Sequence, residues 1–415
     1  MEGHLVHPVA AASGGGTAGH AGDALGPDVI GPSAEARLAS LGRFGTLLGA
    51  AGLVLLAIGV AVAPARAWAN VLLAGFALTG IGLAGVFFVA LSHVADATWT
   101  VAWRRVPEAM TRALVGGAVL LGLLFLAYPA IYPWTSEPVG AEGSFTRLWL
   151  TRPFFVVRAV VYFAIWIGAA RALVRQSRQQ DEDGDPAWTA RSRRTSAVFL
   201  VLFAVTCFLA SVDWIMSLTP HWYSTMFGVY NFAGLFLSGL AIMAILVVWL
   251  RRVGPLRAAA SDEHLHDLGK LVFAFSVFWM YIWFSQYMLI WYANMTEETV
   301  YFIPRMRGAW LPLVITNIAL NWVVPFLVIM SRSSRRHGGL MMKVAAVVLV
   351  GRWLDLYIMI LPAISPASPP FGLWEVGGAL TVIGLFLRLF TQAFGEAAPV
   401  PRQDPFLGES LRYHA

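Results

Sequence analysis

Apolar residues in this chain fill blocks near 20 residues long, separated by short stretches where arginine, proline, glycine and carboxylates collect. As a helix rising 1.5 Å per residue, such a block crosses a hydrocarbon core of about 30 Å. The pattern predicts ten spans, near 44–63, 71–94, 112–132, 153–174, 195–217, 226–250, 268–292, 308–331, 340–362 and 371–394. Backbone polar groups in lipid must be satisfied within their own segment, so the expected fold class is an all-α polytopic membrane protein.

The polar stretches carry a sidedness. Connections after the second, fourth, sixth and eighth spans hold the arginine groups Arg104, Arg105 and Arg112; Arg171, Arg175, Arg178, Arg191, Arg193 and Arg194; Arg251, Arg252 and Arg257; and Arg332, Arg335 and Arg336 with Lys343. The opposite face has only Arg66, Arg147, Arg152, Arg305 and Arg307. By the positive-inside rule both termini are expected in the cytoplasm. The Arg-poor face is then the outer one. It is rich in tryptophan (Trp134, Trp149, Trp222, Trp291, Trp310, Trp374), as membrane interfaces are. Residues 176–191 read as a solvated loop.

An internal repeat divides the spans. The fifth ends Asp213-Trp-Ile-Met-Ser-Leu-Thr-Pro220 and the ninth ends Asp355-Leu-Tyr-Ile-Met-Ile-Leu-Pro362, both running outward. A parallel repeat of two four-helix bundles is expected, spans two to five and six to nine, with two peripheral helices. The organisation is then 1–36, a disordered cytoplasmic tail; 37–66, a peripheral first span; 67–220, the first bundle; 221–363, the second bundle; and 364–415, a peripheral tenth span and cytoplasmic tail. No cleavable signal is expected, because residues 1–36 lack an apolar core. His4, His7 and His20 in that tail read as solvated.

Composition agrees with this class. The chain is 58% hydrophobic and 13% charged, against about 45–50% and about 25% in soluble domains. The net charge of +6 lies in the inter-span arginines, so it is not a nucleic-acid signal. The single cysteine, Cys207, sits in an apolar run and reads as a buried small hydrophobe. One intramembrane histidine excludes a four-histidine di-haem protein, and no P-loop, Cys-x-x-Cys or zinc motif occurs, so no metal site is expected.

Charge inside lipid is costly and marks candidate chemistry. Arg158 and Asp213 lie at similar depth near the outer ends of adjacent antiparallel spans, which predicts an ion pair that serves either a proton path or helix register. Arg352 and Asp355 share a face of the ninth span. Asn317 and Asn321 share one of the eighth, and Gln286, Tyr287 and Tyr281 lie on the seventh. At the inner end of the second span stand His93, Asp96 and Trp99, where an imidazole suits proton entry. The candidate proton path is therefore His93, Asp96, Arg158, Asp213, Arg352 and Asp355, with Thr79, Tyr128, Tyr162 and Ser211 between the ends of a first-bundle route. The candidate quinone-binding group is Asp213, Trp214, His221, Tyr128 and Arg158. No catalytic residue is assigned.

The stretches DWIMSLTPHWYSTMFGVYNF (213–232), DLGKLVFAFSVFWMYIWFSQYMLIWYANMTEETVYFIPRMRGAW (267–310) and GRWLDLYIMILP (351–362) resemble the F subunit of bacterial alternative complex III, in the NrfD/polysulfide-reductase membrane-anchor family. The resemblance covers spans two to ten. It implies two four-helix bundles and a place in a quinol:cytochrome c oxidoreductase of the bacterial inner membrane. The implied partners are a periplasmic iron–sulfur subunit, multihaem cytochromes c, a paralogous NrfD-like subunit and lipid. Menaquinol or another quinone is the implied ligand, and the chain itself holds no covalent or metal-ligated cofactor. The paralogue is the better placed quinol oxidase, which gives this chain a proton-path or structural role. Two other readings stay open on the residues alone: a secondary transporter and a purely structural anchor.

Overall fold

The computed structural model describes residues 31–137 and 139–414. Ten of its helices are long and apolar enough to cross a membrane: α1 Pro32–Val62, α2 Pro64–Val94, α3 Arg105–Leu126, α4 Arg152–Asp183, α5 Ala187–Leu218, α6 Met226–Val253, α7 Asp262–Ala293, α8 Trp310–Val328, α9 Gly338–Ala363 and α10 Leu373–Phe394. No strand occurs among the described residues. The chain is an all-α polytopic membrane protein. His4, His7, His20 and the tail as far as Ile30 lie outside the described residues.

Helix α2 packs on α3, α5 and α4, and α4 packs along α5; α6 packs on α7 and α9, and α8 on α9 and α7. These are the two four-helix bundles expected from the repeat. Each bundle's first helix lies at the centre, with 78% of the apolar window buried in α2 and in α6, against 28% in α1 and 22% in α8. Lipid offers no hydrophobic drive between helices, so the bundles are joined by close van der Waals packing. At the seam Phe87 of α2 meets Phe203, Phe232 and Phe236 at ring distances of 5.0, 5.1 and 4.9 Å.

Helices α1 and α10 pair with each other along their length and lie against α2. The approach is backbone to backbone: a Cβ on Gly384 would overlap the Gly49 nitrogen. At this contact glycine is needed for space, as in other small-residue helix pairs.

Several boundaries differ from the sequence expectation, and the third span, expected at 112–132, lies at Arg105–Leu126. The first helix begins at Pro32, with Glu35 in its first turn, so residues 32–36 are helical. Residues 176–191 are not a loop. Helix α4 continues to Asp183, Gly184 caps it at φ 69°, and α5 starts at Ala187. Gln, Arg and Glu favour helix, and the turn is fixed by the Asp183 carboxylate, which accepts from the Asp185 N–H (3.0 Å) and the Trp188 indole (2.9 Å). The C-terminal segment is an ordered strap across the Arg-rich end. Its helix Leu407–Leu411 buries Leu407 and Ser410 against the 3-10 turn Thr98–Trp103, and the Ser410 hydroxyl accepts from the Ala102 N–H at 3.0 Å.

Candidate functional site

Near the Arg-poor end of the first bundle, α5 gives way to a short 3-10 turn directly after Trp214. Asp213 stands there at 2% exposure. Arg158 grips it from α4 with two bonds of 2.8 Å, Nε to Oδ2 and Nη2 to Oδ1. Tyr162, one turn further along α4, donates its hydroxyl to Oδ2 at 2.8 Å, and the Trp149 indole donates to Oδ1 at 2.9 Å. Arg158 also donates to the Trp149 carbonyl (3.0 Å), and its guanidinium lies 3.9 Å over the Trp149 ring. Every lone-pair direction of the carboxylate has a donor, and a forked arginine bond is the strongest way to hold such a charge. The arrangement fixes α4, α5 and the segment before α4 to one another.

The second bundle builds a different cluster at the matching place. Asp355 is 1% exposed and pairs with Arg352 at 2.7 Å on the same face of α9. The Asn317 amide of α8 donates to Asp355 at 2.7 Å, and the Tyr230 hydroxyl of α6 donates to the same oxygen. From Asn317 a polar track continues inward. The Asn321 amide donates to the Asn317 side chain (2.6 Å) and carbonyl (2.9 Å), and the Ser276 hydroxyl of α7 donates to the Asn321 carbonyl at 2.7 Å. Asn321 sits within a π-turn, Ala319–Val323. Pro325, four residues on, has no N–H to bond that carbonyl, which is why Ser276 can take it. Gly234 of α6 leaves room for Arg352, since a Cβ there would overlap the guanidinium. The Arg352 charge also faces the Trp279 ring at 5.6 Å. Asn321 Oδ1 and the Trp279 indole N–H are buried with no hydrogen-bond partner, and Arg352 Nη1 and Asp355 Oδ2 meet as an ion pair without hydrogen-bond geometry.

A lid covers this cluster. Arg305 is 5% exposed and donates to the carbonyls of Ile358 and Met359 at the end of α9, each at 2.9 Å. Tyr301 lies under its guanidinium (3.6 Å) and stacks on Trp222 (4.0 Å). Burial pushes the Tyr301 phenol up and the Arg305 guanidinium down from their ordinary ranges.

The Arg158–Asp213 ion pair is as the sequence reading expects, and Arg352 and Asp355, expected on one face of the ninth span, also pair there, but other candidates fall elsewhere. His221 is exposed. Tyr128 lies under Arg152 (5.1 Å) and takes no part in the Asp213 cluster, whose backbone neighbour, the Trp214 carbonyl, is bonded by Tyr132 at 2.9 Å. Trp214 itself is buried among Phe76, Tyr162, Phe163 and Trp166. The five candidate quinone-site residues therefore do not converge. Asp96 is a helix-ending residue at φ 48°, exposed and paired with the exposed Arg193. His93 is half-buried beside Thr100, Arg104 and Asp404, with Nε2 unpartnered.

A first-bundle route from His93 to Asp213 has no polar continuity. Thr79 and Ser211 bond back to the carbonyls of Gly75 (2.7 Å) and Cys207 (2.9 Å) on their own helices, and Tyr162 alone of the intermediate groups reaches Asp213. On α7, Tyr281 is 62% exposed and Gln286 donates to Ser224 (2.9 Å), so neither joins the track. The asparagines, by contrast, form its spine.

Two ionic clusters escaped the sequence reading. Glu375 of α10, 1% exposed, takes Arg66 at 2.8 and 2.5 Å and Asn70 at 3.0 Å from α2. At the other end Arg104 and Arg105, expected as loop charges, are buried with Glu108: Arg104 meets Asp404 at 2.7 Å, and Arg105 meets Glu108 at 2.7 Å and also Asp181. The available signal was a carboxylate near the end of an apolar block, Glu108 or Glu375, facing an arginine at the same depth on another block. Among the described residues no group of three or more His, Cys, Asp and Glu is placed to hold a metal ion. A scan of the chain against protein-family models finds no match, and a search of curated proteins finds none either.

Proposed function

We propose that this chain is a non-haem membrane subunit of a quinol:electron-acceptor oxidoreductase of the alternative complex III type, and that its second bundle handles protons. The observation that carries the proposal is the Asp355 cluster. It holds a buried carboxylate and arginine, a phenol hydroxyl and a chain of amides and a hydroxyl that enters the bundle, with acceptor and donor capacity left over at Asn321 and Trp279. A buried ion pair whose neighbours retain hydrogen-bonding capacity suits a group that exchanges a proton with water or with a quinone oxygen. The family resemblance adds the setting, a bacterial inner membrane with quinol as the source of protons and electrons, and the arginine distribution puts both termini in the cytoplasm. In that setting the exposed Phe145 (70%), Tyr223 (73%), Tyr292 (84%) and Phe371 (80%) at the Arg-poor end form a surface for the iron–sulfur and multihaem cytochrome c subunits.

In the first bundle the saturated Asp213 favours a structural anchor, a pair that sets helix register. A transporter would place broken helices in corresponding positions of both halves. The α8 π-turn has no counterpart in α4, which runs unbroken from Arg152 to Asp183. Asp355→Asn in the assembled complex tests the proposal. Quinol-driven proton release should fall at least severalfold, with the complex still assembled. Unchanged electron transfer and proton release would leave this bundle a scaffold.

A further inference from the structure

Along the lipid-facing side of the first bundle, α3 and α4 part to leave two contiguous cavities of about 460 and 630 Å³ that share Ile167 and Arg171. The first lies at the Arg-rich end and is lined by Arg112, Arg171, Arg175 and Arg178. The second runs toward the membrane centre and is walled by apolar residues from Val156 to Gly168 of α4, opposite Gly122 and Phe125 of α3, with Trp214 also on its lining. Between Val156 and Arg171 the groove follows about 22 Å of helix, longer than half of a roughly 30 Å hydrocarbon core.

The charges in the first cavity are unevenly used. Arg112 and Arg178 are tied to Glu396 at 2.6 and 3.1 Å. Glu108 is turned onto Arg104 and Arg105. Arg171 and Arg175, one turn apart on α4, are exposed and make no hydrogen bond or ion pair among the described residues. Glu182, two turns beyond Arg175, is the carboxylate at the solvent end of the cavity. Two free guanidinium groups therefore stand where an apolar groove open to lipid meets the membrane surface.

We infer that this cleft binds one phospholipid with an anionic headgroup, its phosphate on Arg171 and Arg175 and an acyl chain in the groove between α3 and α4. Basic pockets between helices on the arginine-rich side are suited to anionic headgroups. The apolar continuation, with Val160 61% exposed on its wall, selects a lipid over a free phosphate. The site is independent of the Asp355 cluster and of the proposed function.

The test uses the full chain, purified in detergent with any native partners, delipidated and offered phosphatidylglycerol and phosphatidylcholine in equal amounts. Native mass spectrometry should find one phosphatidylglycerol retained in preference to phosphatidylcholine. The double variant R171Q/R175Q should lose about 25-fold in phosphatidylglycerol retention, roughly fivefold per arginine, with phosphatidylcholine unchanged. Gly168 has open space around it, so G168W fits the helix but fills the groove and should reduce retention of both lipids. Circular dichroism and a monodisperse elution profile establish that each variant is folded. Equal retention of the two lipids by the unaltered protein, or equal phosphatidylglycerol retention by R171Q/R175Q, would overturn the inference. So would displacement of the lipid by inorganic phosphate alone.

Discussion

Removing Arg158 should destabilise the protein far more than removing Arg158 and Asp213 together. In the folded chain Asp213 is 2% exposed, and two of its four side-chain bonds, with all of its compensating charge, come from Arg158. Arg158→Met leaves the carboxylate with Tyr162 and Trp149 alone and strips the Trp149 carbonyl of its donor. Water cannot reach the vacated position at that burial, so the loss should lie near the cost of breaking a buried pair, about 3–5 kcal/mol. Asp213→Leu leaves the guanidinium buried, but with the Trp149 carbonyl and two aromatic faces, Trp149 at 3.9 Å and Phe154 at 4.4 Å, so it should cost less. The double variant R158M/D213L replaces both charges by apolar groups and should cost about 1–2 kcal/mol, because no charge is left unpaired and only neutral groups, the Tyr162 hydroxyl and the Trp149 indole and carbonyl, lose a partner. The coupling energy should then exceed about 2 kcal/mol. Unfolding in mixed detergent–dodecyl sulfate micelles, followed by tryptophan fluorescence and helical circular dichroism, measures all four corners of the cycle. A cost below about 1 kcal/mol for R158M, or a double variant equal to the sum of the singles, would refute the claim that this pair is a desolvated, mutually dependent unit.

Gly234→Ala should act on the second bundle as a charge variant would, although alanine is neutral. Its Cβ would occupy the place of the Arg352 guanidinium, so the arginine must swing off Asp355, with a stability loss of about 3 kcal/mol in the same assay and a fall in proton release matching that of Asp355→Asn. The C-terminal strap should detach in alkali. Burial, and then the hydrogen bond to Asp267, push the Tyr413 phenol up from 10.0 to about 12. The folded form thus keeps its proton over that interval, and the stabilisation is complete below pH 10 and lost as pH rises toward 12. Protease sensitivity of the strap and the tyrosinate absorbance difference against Tyr413→Phe should show this transition in the unaltered protein and not in the variant.

The ten spans and their grouping into two bundles were legible in the residues alone. Crossing lipid demands a run of apolar side chains and a self-satisfied backbone, and both requirements are written locally. The Arg158–Asp213 and Arg352–Asp355 pairs were legible for a related reason. Each charge lies in an apolar block at a depth that counting can estimate, and each has one partner at that depth on its own or the adjoining span. Tertiary structure alone decided what each pair does. Asp213 is saturated because Trp149, expected as an interface anchor, turns its indole inward, whereas Asp355 opens onto a polar track because Pro325 and a π-turn free the carbonyl of Asn321. The Glu375–Arg66 and Glu108–Arg105–Asp181 clusters join residues far apart in the chain, and the α1–α10 contact depends on glycines that carry no signal of their partner. Sequence fixes depth in the membrane through hydropathy. Which faces meet at that depth is set by side-chain volume and hydrogen-bond geometry between helices, and no single segment contains that information.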